Sequence, residues 1–214
     1  MSKPLIIELL VDEEEGTGVD IISFVEYPAI ERDFMYFNKA KDFKFKETDT
    51  EKRLVSGPAM IPDEKIIRLD MNDEPYFVYF SEETIRKSSE LYFKQSNQNS
   101  ANFEHEEDVS DVTVVESWII EDPENDKSNA LGFSDLPKGT WMVTYKVYSD
   151  EVWDRIKDGE VLGFSVEGLF GQKLEDFKKV NEEEVLLAEI SKLLKSNMTE
   201  NEMYDIIKEK MNKK

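Results

Sequence analysis

The chain of 214 residues has no cysteine, a single histidine, and 27 basic side chains against 48 acidic ones. Without cysteine there is no disulfide, no thiolate zinc site and no cysteine nucleophile. The shortage of Lys and Arg leaves a formal charge of −21. That argues against a nucleic-acid surface, which must replace counterions with basic side chains, and against docking on an anionic membrane. Its plain meaning is solubility and self-repulsion; its sharper one is a basic partner or a crowded compartment, and charge alone does not choose. There is no apolar run long enough to span a bilayer. The opening MSKPLIIELLVDEEE has too short an apolar run for a signal peptide and runs into acid, so a cytoplasmic protein is expected. A Walker loop, GxGxxG, HExxH and an EF-hand loop are all missing, so no cofactor is expected. The acidic clusters 12–15 and 104–108 offer at most a weak divalent site, so no metal is expected either.

What is present is strand-rich. Residues 5–11 (LIIELLV) and 19–27 read as two strands around an acidic turn bent by Gly16 and Gly18. Residues 31–53 alternate aromatics with charge and read as an exposed strand or a semi-ordered connector. LVSGPAMIP holds a Gly-Pro turn; KIIRLD, YFVYF, VTVVESWII and TWMVTYKVY read as strands. Ser81 caps a helix to about Gln95, and Ser149 caps a shorter one stopped by Gly159. Residues 122–137 form a long loop between strands. After residue 170 the texture changes. Residues 171–180 read as a linker, and 181–214 as an acidic helical hairpin with two capping boxes and a leucine stripe. One domain is expected over 1–170.

The chemistry centres on residues 161–170, VLGFSVEGLF, an apolar strand with Ser165 in its middle and Glu167 on the same face. A serine hydroxyl needs a base, and His105 is the one imidazole available. His105 lies in NFEHEEDV, whose acids could orient its ring; it reads equally as a surface histidine in an acidic loop. LGFS occurs twice, and the copy ending at Ser134 lies in the long loop. The copy ending at Ser165 is held by strand backbone, as a nucleophile requires. The alternative for Ser165 is a small core residue bonded to the sheet. Gly163 and Gly168 bracket it, compatible with a bulge or a close backbone approach, for an oxyanion or for nothing but a bend. The GxSxG elbow fails at Glu167.

The run HEEDVSDVTVVESWIIEDP, then LPKGTWMVTYKVYSDEVWDRIKDGEVLGFSVEGLF, resembles the phage serine protease family called XkdF-like, relatives of the prohead proteases. The opening GVDIISFVEYPAIERDFMYF is similar to a motif, roughly EVSLVxxPA, that follows the serine strand in ordinary prohead proteases. The likeness covers about residues 5–170 and implies a circular permutation. It implies an α+β fold, a mainly antiparallel β-barrel of the herpesvirus assembly protease type with flanking helices. It also implies a Ser–His pair, which carries onto Ser165 and His105, with a third, acidic member. Asp20 is nearest to the motif's acid but one residue out of register, which on a strand changes face; Glu116 is its rival. The implied function is prohead maturation in the host cytoplasm. Its substrates would be scaffold and capsid-precursor proteins and the chain itself, and a homo-oligomer is compatible. Two other readings stand beside it: a head or scaffold-associated protein that keeps the fold without activity, and an unrelated acidic binding module.

Overall fold

The computed structural model describes residues 5–26, 46–49, 52–70, 72 and 74–174. The helical hairpin expected over 181–214 and most of the 31–53 connector lie outside them. In chain order the elements are β1 (Ile6–Leu10), β2 (Gly18–Val25), β3 (Lys46–Asp49), β4 (Leu54–Met60), β5 (Ile66–Leu69) and β6 (Pro75–Phe80). There follow α1 (Glu82–Lys94), β7 (Ala101–Phe103), β8 (Glu107–Val109), β9 (Val112–Ile119), β10 (Trp141–Val147), α2 (Asp150–Lys157), β11 (Gly163–Leu169) and β12 (Gly171–Leu174).

Both helices start where their caps predict. Ser81 Oγ accepts from the Thr84 amide and Ser149 Oγ from the Val152 amide. Glu82 and Glu83, and then Asp150 and Glu151, face the positive end of each helix. α1 buries Ile85, Ser88 and Tyr92 at helical spacing; α2 buries Val152, Trp153 and Ile156 and stops before Gly159, at φ +74°.

The strands form three four-stranded sheets, ordered β12-β1-β6-β5, β3-β4-β10-β9 and β11-β2-β7-β8. The class is α+β and most pairings are antiparallel, with β1–β6 and β2–β7 parallel. The described strands make three sheets around a shared core, and among the described residues no continuous hydrogen-bonded ring closes them into the expected barrel. The chain passes from sheet to sheet several times, first at the corner between β1 and β2 and again, among others, at the corner at Phe170 between β11 and β12. The Phe170 corner shows that 171–174, expected as linker, is a strand paired with β1.

A further difference concerns LVSGPAM, which is not a turn. β4 runs straight through Gly57 and Pro58. Proline is accommodated there where the β4–β10 ladder shifts register beside it, between the Trp141–Met60 and Met142–Pro58 pairs.

One core cluster draws on all three sheets and both helices, with Trp141, Tyr145, Phe24, Val55 and Tyr92 fully buried. Phe24 packs against Tyr145, Phe164 and Phe103 with ring centroids 5.1, 5.5 and 6.0 Å apart. Aromatic pairs of this kind contribute about 0.5–1.5 kcal/mol each beyond area burial. The cluster underlies the β11-β2-β7 surface and fixes the relative heights of those strands.

Candidate active site

Three polar groups of the site sit next to a phenylalanine in that cluster. Ser23 precedes Phe24, Asn102 precedes Phe103, and Ser165 follows Phe164. Because strand side chains alternate, anchoring the three rings inward turns the three polar side chains to the outer face. In the antiparallel register Ser165 lies directly opposite Ser23, and Glu167 opposite Ile21. Ser165, Ser23 and Glu167 therefore share one face.

His105 arrives from the turn between β7 and β8, which sequence reading did not recognise as a hairpin. Glu104 and His105 are both left-handed, at φ +49° and +62°, and the Glu106 amide donates to the Phe103 carbonyl. Two such residues give the mirror-image turn that matches strand twist, usually supplied by Asn-Gly. Histidine visits this region more readily than most side chains, glutamate less so. Glu104 is tied down at both ends: its amide donates to the Phe24 carbonyl and its carboxylate accepts from the Glu26 amide. From the other side Arg155 of α2 lies 3.6 Å over the Phe103 ring and pairs with Glu107. The turn is thus fixed to β2 and to α2.

His105 Nδ1 lies 2.9 Å from Glu167 Oε1 and 3.0 Å from Ser23 Oγ. Ser23 Oγ donates to the same Glu167 oxygen over 2.8 Å, and Asn102 Nδ2 donates to it as well. Partial burial pushes the Glu167 carboxyl up, but the hydrogen bonds from Asn102, His105 and Ser23 outweigh it and hold the group below the usual carboxylate range. Glu167 is therefore ionised at neutral pH and can only accept. The imidazole and carboxylate side chains are each 32% exposed, so solvent reaches the site.

The sequence candidates fall as follows. Ser165 is half-buried on the site face, with no side-chain hydrogen bond among the described residues. Asp20 is exposed at a bulge: Glu167 pairs with Ile21 and Gly168 with Val19, so Asp20 has no opposite residue. Glu116 lies on β9, in another sheet, and accepts from Lys127 and Thr144. The carboxylate at His105 is neither of these but Glu167, two residues beyond Ser165. Its same-face spacing with Ser165 was visible in the sequence; its contact with a turn about sixty residues away was not. Ser134, of the second LGFS, is exposed on its loop beside the buried Phe133.

A groove of about 480 Å³ between α1 and β9, bordered by Phe93 and Val115, shares no residue with this site. No group of three or more His, Asp or Glu among the described residues is placed to hold a metal ion.

The chain is 24% identical over 164 residues to the phage-like element PBSX protein XkdF of Bacillus subtilis, covering 73% of this chain and 54% of that protein. It is 27% identical over 155 residues to the uncharacterized protein YqbD of the same organism, covering 69% and 43%. It thus spans about half the length of these curated relatives. No solved structure matches it. A family model matches residues 42–175, a segment that holds Asn102, His105, Ser165 and Glu167 and leaves Ser23 outside. That segment is more than half of the chain, and the chain belongs to the family described as "Putative phage serine protease XkdF".

Proposed function

We propose that the protein is a serine endopeptidase of phage prohead maturation that cleaves scaffold and capsid-precursor segments. The observation that carries this reading is the 2.9 Å contact between His105 Nδ1 and Glu167, on the face that bears Ser165. An ionised carboxylate on Nδ1 fixes the hydrogen there and leaves Nε2 with the lone pair, the arrangement a general base needs. Ser165 Oγ attacks the scissile carbonyl and passes its proton to Nε2. The tetrahedral intermediate collapses, the leaving amine takes that proton, and water repeats the sequence on the acyl-enzyme. Catalytic hydrogen bonds are often long before substrate binds, and Ser165 closes on the ring in the complex. The family supports the peptidase class; the prohead setting and substrates are the proposal's own extension.

A fluorophosphonate, which traps activated serine hydroxyls, tests it. The wild-type chain is expected to label at Ser165, and Ser165→Ala and His105→Ala to lose the label. A folded, assembled and uncleaved protein that takes no label would favour a head protein that keeps the fold without the chemistry.

A further inference from the structure

The serine in contact with His105 is Ser23, not Ser165, and that contact needs an explanation. Ser23 is fully buried, so its hydroxyl cannot meet a scissile carbonyl while His105 and Glu167 hold their places against it. Its proton is also already placed, because Oγ donates to Glu167. A 2.9 Å contact with an ionised oxygen requires the ring hydrogen on Nδ1, and Nδ1 then has no lone pair with which to take a proton from Ser23. Asn102 is equally specialised. It is 4% exposed and gives Nδ2 to Glu167, while its Oδ1 is buried with no hydrogen-bond partner among the described residues. Buried polar atoms without partners are rare in native proteins. A leucine of nearly the same shape would leave nothing orphaned there, so packing alone does not explain an amide at this position.

We infer that Ser23 and Asn102 are positioning residues that hold Glu167 Oε1 against His105 Nδ1, and so set which imidazole nitrogen is left as the base. The two donors come from neighbouring strands, one on β2 and one on β7, and converge on one oxygen from β11. The carboxylate is thereby fixed by three strands at once. This deepens the proposed Ser165–His105 chemistry and rests on it for the use made of Nε2, but the cradle itself is measurable without any substrate.

The single histidine makes the test direct, since a chain labelled with ¹⁵N-histidine shows one imidazole. Its neutral ring is expected to carry the hydrogen on Nδ1 in the wild type. Ser23→Ala and Asn102→Leu are each expected to move it toward the Nε2–H form that free imidazole prefers. Ser23→Thr, which keeps the hydroxyl on a strand-compatible side chain, is expected to retain the wild-type spectrum and guards against simple misfolding. Fluorophosphonate labelling of Ser165 should slow about 10- to 100-fold in the alanine and leucine variants, as for other losses of an orienting partner. An Nε2–H ring in the wild type, or a label recovered on Ser23, would overturn the inference. An Nδ1–H ring that responds to the variants, with no label on any serine, would leave the cradle standing and remove the peptidase reading.

Discussion

At the scale of residues, the site is a competition for one carboxylate oxygen. Glu167 is pushed up by partial burial and pulled down by three donors, and the donors win. The sign of the linkage follows. A carboxyl whose folded value lies below its unfolded value of about 4.3 stabilises the fold fully above that value, and the contribution disappears as pH falls through the folded one. The gap in urea midpoint between wild type and Glu167→Gln is therefore expected to be widest above about pH 5 and to close toward acid. Urea titrations across that range check it, and a gap independent of pH would mean that Glu167 is not held ionised. The same residue shows how far the chain could be read unaided. Ser165 and Glu167 were legible as a same-face pair because strand periodicity is local. Ser23 was not, because a serine in VDIISFVEY carries no mark until its cross-strand partner is known.

At the scale of elements, β11 depends on Gly168. A Cβ built there would stand 1.8 Å from the Gly18 carbonyl oxygen, a backbone atom that cannot swing aside. The approach is that close because the ladder bulges between Glu167 and Gly168. Gly168→Ala must push β2 and β11 apart where Glu167 is seated. The expected cost is about 3 kcal/mol, the upper end for overpacking, together with loss of fluorophosphonate labelling; chemical denaturation checks the first. An unchanged midpoint would mean that the bulge relaxes freely. Elements also explain the main omissions from the sequence reading. β7 and β8 are three residues each, and their turn lacks the glycine or asparagine that announces a hairpin. β4 hid behind its Gly-Pro because proline's tolerance there depends on a register shift against β10, which is a fact about another strand.

At the scale of the whole molecule, the formal charge of −21 outweighs individual surface ion pairs. Pairs such as Lys87–Glu83 and Lys157–Asp154 are exposed, and exposed pairs contribute little. Net self-repulsion opposes the compact state, and salt screens it over about 10 Å at 0.1 M. The melting temperature at pH 7 is therefore expected to rise between low salt and about 0.5 M sodium chloride, as calorimetry would show. A fall would mean that local attractions exceed the global repulsion. The three-sheet arrangement belongs to this scale as well. Strand content was plain in the sequence, but which edges pair to make each of the three sheets was not.

The sequence by itself determined the helices and their caps, most of the strands, the absence of thiol chemistry, and a short set of reactive side chains. Periodicity, capping and composition act over a few residues, and so they can be read along a chain. The tertiary structure decided which of those side chains meet. It placed Glu167 rather than Asp20 or Glu116 at His105, and it put a buried serine beside the ring with the candidate nucleophile directly across from it. Those outcomes follow from the register of β11 on β2 and from a turn of two left-handed residues. Both are fixed by burying Phe24, Phe103 and Phe164 in a single cluster, which no local pattern records.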